Sequence, residues 1–257
     1  MAAQKNILQA DLWFFNLDIG EESESLAFEI LNEEEISRAL RFIRPGDRRH
    51  FAVCRACVRA VLAHYAGGIE PSDVHFDYGK WGKPFFDGIS FSIAHSHSFG
   101  LLAVAPSGPV GCDIEWHGRN GSPDALAEYF PLQERQELMM LSSPAKRKAF
   151  FTLWVRKEAV GKACGQGLGV GLDKIAASCR DDEPVVHVLP GSPAPAGKWW
   201  VPSFSFTDSY SAACALPIEH AGLPLVRRGP FSLPDVFSGK IFEATGSAKL
   251  KNEIFYF

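Results

Sequence analysis

Between Asp47 and Tyr65, the apolar residues Phe51, Cys54, Cys57, Val58, Val61, Leu62 and Tyr65 recur at three- and four-residue steps. That period places them on one face of an α-helix, which Gly67-Gly68 closes. A second helical pattern runs from about Lys146 to Cys164, with Phe150, Phe151, Trp154 and Val155 apolar and Gly165 just past its end. Residues 123–143 are helical in composition and stop at Ser142-Ser143-Pro144. The other apolar segments are short and bounded by Gly, Pro and Ser. Val74–Tyr78, Ile89–Ala94, Gly100–Ala105, Val110–Trp116, Val185–Leu189, Trp199–Phe206 and Ser211–Leu216 therefore read as strands. Pro106-Ser107-Gly108-Pro109 is the clearest break in mid-chain. The order of elements predicts an α+β protein with two halves of similar size, residues 1–107 and 108–218. Residues 219–257 form a tail with no assigned role.

Composition narrows the class. The chain has 257 residues, 46% of them hydrophobic and 22% charged, which places it among globular proteins rather than disordered or fibrous ones. Lys and Arg number 26 against 30 Asp and Glu, a net charge of −4 that argues against a nucleic-acid partner. No apolar run reaches the length of a membrane span, and no targeting signal is visible, so a cytoplasmic protein is expected. The six cysteines are then expected to be reduced. His50, Cys54 and Cys57 share a helix face, but no second ligand pair completes a zinc site, so small core residues are the expectation. Arg48, Arg55 and Arg59 also share a face, either a solvated one or a phosphate-binding edge.

Candidate chemistry sits in three segments. Gly111-Cys112-Asp113-Ile114-Glu115 puts two carboxylates on one side of a strand, a hard-oxygen pair suited to Mg²⁺ or simply a solvated face. Trp154 to Lys162 puts Glu158 and Lys162 on one face of a packed helix, where Glu158 could supply a third carboxylate. Gly82-Lys83-Pro84, followed by Phe91-Ser92-Ile93-Ala94-His95-Ser96, offers a lysine turn and a His/Ser cluster at a strand end, both plausible anion contacts. A Walker A loop and a dinucleotide fingerprint are absent, and the glycines at 165, 167, 169 and 171 follow a helix rather than open one.

Taken together, the motifs GKP, F-x-I-x-H-S, V-G-x-D-I-E and W-x-x-K-E-x-x-x-K, in this order, closely resemble the 4′-phosphopantetheinyl transferases. The similarity is to their long, pseudo-dimeric type, which activates peptide and polyketide synthase carrier proteins, and it extends over about residues 38–217. The resemblance implies two similar α/β halves meeting at a central coenzyme-binding cleft. It implies Mg²⁺-dependent transfer of 4′-phosphopantetheine from coenzyme A to a serine of an apo acyl or peptidyl carrier protein, with release of adenosine 3′,5′-bisphosphate. By the same resemblance, Asp113, Glu115 and Glu158 are the metal ligands, Glu158 is also the base, and Lys162 steadies the pyrophosphate. Arg48, Lys83 and His95 hold the nucleotide phosphates, and Arg38, Pro84, Ser96 and Lys157 join them in the coenzyme set. A monomer is expected, because the two halves already supply both sides of the cleft. Lys146, Arg147, Lys148 and Arg156 are a candidate docking edge for an acidic carrier.

Four residues depart from the family pattern: Ser92, Ala94, Cys112 and His50. Two alternatives stay open, a Mg²⁺-dependent nucleotide pyrophosphohydrolase and a non-catalytic binder of coenzyme A or carrier protein.

Overall fold

The computed structural model describes residues 9–118, 123–243 and 253–255. The fold is mixed α+β. Strand β1 (Ala10–Asn16) opens it, followed by helices α1 (Glu21–Phe28), α2 (Glu33–Ala39) and α3 (Pro45–Tyr65). Then come β2 (Asp77–Tyr78), β3 (Pro84–Phe85), β4 (Ser90–Ser96), β5 (Phe99–Ala105) and β6 (Gly111–Trp116). Helices α4 (Pro123–Ala127), α5 (Leu132–Met139) and α6 (Ser143–Ala163) precede β7 (Ile175–Ala176), β8 (Val185–Val188), β9 (Gly197–Trp200), β10 (Ser203–Thr207) and β11 (Tyr210–Pro217). The chain continues with β12 (Leu225–Phe231), α7 (Leu233–Phe237), α8 (Lys240–Glu243) and β13 (Glu253–Phe255).

Two larger sheets organise these elements. One has the order β13-β12-β1-β5-β4; the other runs β10-β11-β9-β8-β7, with β6 also paired to β11. A short ribbon, β2 with β3, stands apart. The segment 74–78, expected to be a strand, is reduced to Asp77–Tyr78, because Pro71–Asp73 takes a 3-10 turn just before it. The expected helix over 123–143 is two helices, split where Pro131 cannot continue the first. Likewise the expected strand 199–206 breaks at Pro202, which has no N–H for the ladder.

Strand β1 is the centre of its sheet and was not evident from periodicity. Trp13 and Phe15 pack with α3 in one core cluster, while Leu12 and Phe14 pack with Leu101, Ile114 and Tyr210 in another. With both faces covered, the strand has no polar alternation to reveal it. The tail supplies its neighbour: β12 pairs parallel to β1, from Ala10 opposite Leu225 onward. Arg228 on β12 reaches buried Asp11 at 2.9 Å, and Tyr65 donates to the same carboxylate.

The strand that carries the candidate acids is fixed by side chains as well as by a ladder. β6 pairs antiparallel with β11, setting Asp113 opposite Ala213. Toward β4, two serine hydroxyls take backbone N–H groups: Ser92 Oγ accepts from Cys112 N and Ser96 Oγ from Trp116 N, both at 3.1 Å. Helix α6 lies against β6 so closely that a Cβ on Gly111 would strike the backbone of Ala159 and Ala163. Gly161, facing the other way, has the same relation to Gly167.

Candidate active site

One pocket of about 480 Å³ gathers the chemistry-bearing side chains. Arg38 comes from α2, Arg55 from α3, Tyr78 and Pro84 from the ribbon, His95 from β4, Asp113 and Glu115 from β6, and Glu158 and Lys162 from α6. The strand period aims Asp113 and Glu115 to one side, and the helix period stacks Glu158 on Lys162. Lys162 Nζ donates to Asp113 Oδ1 at 2.7 Å, and Ser96 Oγ donates to Glu115 Oε2 at 2.8 Å. A broader groove of about 740 Å³ adjoins this pocket at Leu168 but contains none of these acids.

The electrostatics are uneven. Burial pushes the Asp113 carboxyl up to about 7; Lys162 opposes that rise, and Glu115 and Glu158 add to it. Burial presses Lys162 down, yet Asp113 and Glu158 outweigh it and lift the ammonium to about 12. Asp113 Oδ2 is buried with no hydrogen-bond partner. Three carboxylates thus face one ammonium on the β6–α6 side of the pocket. Among the described residues, no three His, Cys, Asp or Glu are drawn together as a closed metal site. The donors nonetheless fit a hard divalent cation: they are oxygen ligands, and a buried carboxylate oxygen lacks a partner. His95 opens to the pocket. Desolvation within the pocket, then Lys162, His50 and Arg38, hold its pKa below the usual imidazole value, against the pull of Asp47.

The profile of the 4′-phosphopantetheinyl transferase superfamily matches residues 109–215, the stretch that carries all three acids and Lys162. The 4′-phosphopantetheinyl transferase HetI of Nostoc sp. is 34% identical over 183 residues, covering 68% of this chain and 76% of its own. The chain belongs to the 4′-phosphopantetheinyl transferase family. A 4′-phosphopantetheinyl transferase of Bacillus subtilis is 28% identical over 203 residues, 77% of this chain and 87% of its own. Sfp, from Bacillus subtilis strain 168, is 24% identical over 206 residues, 79% and 89% of the two chains.

In this transferase, the structure brings together Arg38, Pro84, His95, Asp113, Glu115, Glu158 and Lys162 and leaves other expected residues elsewhere. Lys83 turns inward, donating to the carbonyls of Val110 at 2.8 Å and Ala163 at 3.5 Å. It ties the Gly-Lys-Pro turn to the start of β6 and the end of α6. Arg48 pairs with Glu24 at 2.5 Å, outside the pocket lining. Ser96 reaches the pocket indirectly, through Glu115. Lys157 is fully buried, held by Glu134 at 2.8 Å and by the carbonyls of Leu172 and Ile175. Neighbours on a helix point about 100° apart, so Lys157 faces the core while Glu158 faces the pocket.

Two further expectations are corrected. Arg156 is fully buried, donating to Ser203 Oγ at 2.9 Å and to the carbonyls of Ser178 and Glu183, so it cannot belong to an exposed docking edge. The arginine stripe on α3 is not one face with one role. Arg59 is fully buried, and Arg55 reaches the pocket. Sequence reasoning did not place Arg55 and Tyr78 in the site. Tyr78 is joined to the site through Arg55, and the carboxylate that holds Arg55, Glu35, lies 20 residues away and gives no local pattern, although Asn32-x-x-Glu35 is a legible capping box.

Proposed function

We propose that this transferase moves 4′-phosphopantetheine from coenzyme A to a serine of an apo acyl or peptidyl carrier protein and releases adenosine 3′,5′-bisphosphate. The observation that carries the proposal is the convergence of Asp113, Glu115, Glu158 and Lys162 on one pocket, with Asp113 Oδ2 lacking a partner. In the reaction, the serine Oγ forms a bond to the phosphorus that bears the pantetheine. The bond from that phosphorus to the bridging oxygen breaks, and the bisphosphate leaves. Glu158 accepts the serine proton, because an un-ionised hydroxyl is a poor nucleophile. Lys162 places its charge beside the leaving phosphate, where positioning and charge neutralisation supply most of the rate. Arg38 and His95 line the same pocket and would hold the nucleotide end.

Asp113, Glu115 and Glu158 would hold Mg²⁺, which when bound supplies charge neutralisation at the coenzyme's pyrophosphate. The two halves of the α/β type would be residues 1–107 with α3 and residues 108–218 with α6, the first completed by β12 from the tail. The active unit would be a monomer in the cytoplasm; among the described residues no helix is long and apolar enough to cross a membrane. Lys148, exposed, and Lys146, paired with Asp124 at 2.5 Å, remain on the face offered to an acidic carrier.

The test is the intact mass of an apo carrier protein after incubation with the transferase, coenzyme A and Mg²⁺, with an EDTA control. The expected outcome is a gain of one phosphopantetheine that EDTA prevents and Glu158→Gln abolishes. Coenzyme cleaved without carrier modification would instead make the protein a hydrolase. Coenzyme bound with neither product would make it a binder.

A further inference from the structure

A buried carboxylate lies behind the pocket wall, outside the pocket lining. Glu35, in the first turn of α2, is 3% exposed. Its Oε1 accepts from Arg55 at 2.6 Å and 2.7 Å, and its Oε2 accepts from Arg59 Nε at 2.7 Å. The same carboxylate closes the capping box by accepting from Asn32 N at 3.3 Å. One acid therefore serves two guanidinium groups of α3 while holding the start of α2. One turn further along α2 is Arg38, which lines the pocket and sits over the Phe51 ring of α3 at 5.1 Å.

Arg55 carries the connection across the pocket. Its guanidinium lies over the Phe76 ring at 4.3 Å and donates to Tyr78 Oη at 3.1 Å. Tyr78 closes the first strand of the ribbon opposite Pro84, and Lys83, at the end of the turn between them, anchors the ribbon to β6 and α6. The ribbon is thus held at two points. Lys83 fixes it to the wall that bears the acids, and Tyr78 fixes it to the wall that bears Arg38. The planar guanidinium grips the carboxylate with two nitrogens while donating to the phenol, a fixed fork that a single ammonium nitrogen does not offer.

We propose that Glu35, acting through Arg55 and Tyr78, is a positioning residue that sets the spacing of the pocket walls for coenzyme A. The proposal rests on the function proposed above. Its signature is a split between KM and kcat. The chemistry on β6 and α6 stays in place when the link is cut, while the coenzyme meets a looser pocket.

The experiment measures KM for coenzyme A, kcat for carrier modification and the Kd of coenzyme A by calorimetry, with melting temperatures recorded throughout. Tyr78→Phe, at a largely exposed site, is expected to raise KM and Kd about three- to fivefold with kcat nearly unchanged. Arg55→Lys, which keeps the charge against Glu35 but loses the fork, is expected to give the same shift. The double variant should be no worse than either single, because both cut one link. Glu35→Gln should raise KM at least as far as Arg55→Lys; if Arg59, left without its charge partner, prevents folding, Tyr78→Phe and the double variant decide the matter. An unchanged KM in Tyr78→Phe, or multiplying effects in the double variant, would overturn the proposal while leaving the transferase intact. Wild-type protein that neither binds nor uses coenzyme A would overturn both this proposal and the function beneath it.

Discussion

Asp113 shows how much a single buried side chain reveals about what a site is built to hold. Its Oδ1 is satisfied by Lys162 while its Oδ2 is not, and burial lifts its pKa to about 7. A cation at Oδ2 would bring that value back down, so Asp113→Ala is expected to remove Mg²⁺-dependent transfer. Activity across a Mg²⁺ titration checks this, and an unchanged metal dependence would put the metal elsewhere. His95 gives a second prediction. Its pKa, held below the usual imidazole value in the open pocket, must rise when a phosphate comes beside it. A group whose pKa rises on binding adds affinity that is full below its free value and lost as pH climbs through its bound value. Metal-free binding of adenosine 3′,5′-bisphosphate should therefore strengthen as pH falls toward the free value, with proton uptake by His95. His95→Gln should flatten that slope, as calorimetry in two buffers of different ionisation enthalpy would show. At this scale the sequence was most informative where residues act through their own elements, as Asp113, Glu115, Glu158 and Lys162 do. It was least informative for Lys157 and Arg156, which sit beside the pocket-lining Glu158 in the chain but turn to the core.

Helix α6 and strand β6 work as one unit, and their closeness depends on the missing side chain at Gly111. Gly111→Ala should push α6 away from β6 at the turn that carries Glu158 and Lys162. The expected cost is about 1–3 kcal/mol from overpacking. A shift approaching an ångström at the site would lower kcat by on the order of a hundredfold. Thermal melting together with steady-state kinetics checks both; a variant with normal kcat would mean the helix has room to yield. Both long helices were legible, α3 from its 3.6-residue apolar period and α6 from its apolar cluster and the Gly165 stop, although burial on nearly every side blurs the period of α6. The short helices were not: Pro131 divides one expected helix, and α1 and α2 are too brief and polar to stand out. β1 was hidden for the opposite reason, since burial on both faces removes the alternation that marks a strand.

Over the whole molecule, the tail that the sequence left without a role is part of the first sheet. β12 buries Leu225 and Val226, α7 adds Leu233 and Val236, and Ile241 follows. Each is worth about 1.5–3 kcal/mol when buried, and removing Arg228 would also take the ion-pair partner from the buried Asp11 carboxylate. Ending the chain at Ala221 should therefore consume most of the ~5–15 kcal/mol that holds a domain. The truncated protein is expected to be insoluble or to melt far below the full chain, and a truncated protein with the full melting temperature would refute this. The α/β alternation around Pro106–Pro109 made the general class readable, but parallel pairing between distant strands has no local signature. That pairing also governs timing. On the ribosome β1 emerges well before its partner β12, so the sheet behind α3 has to wait, one edge open, until all the residues between them have been translated.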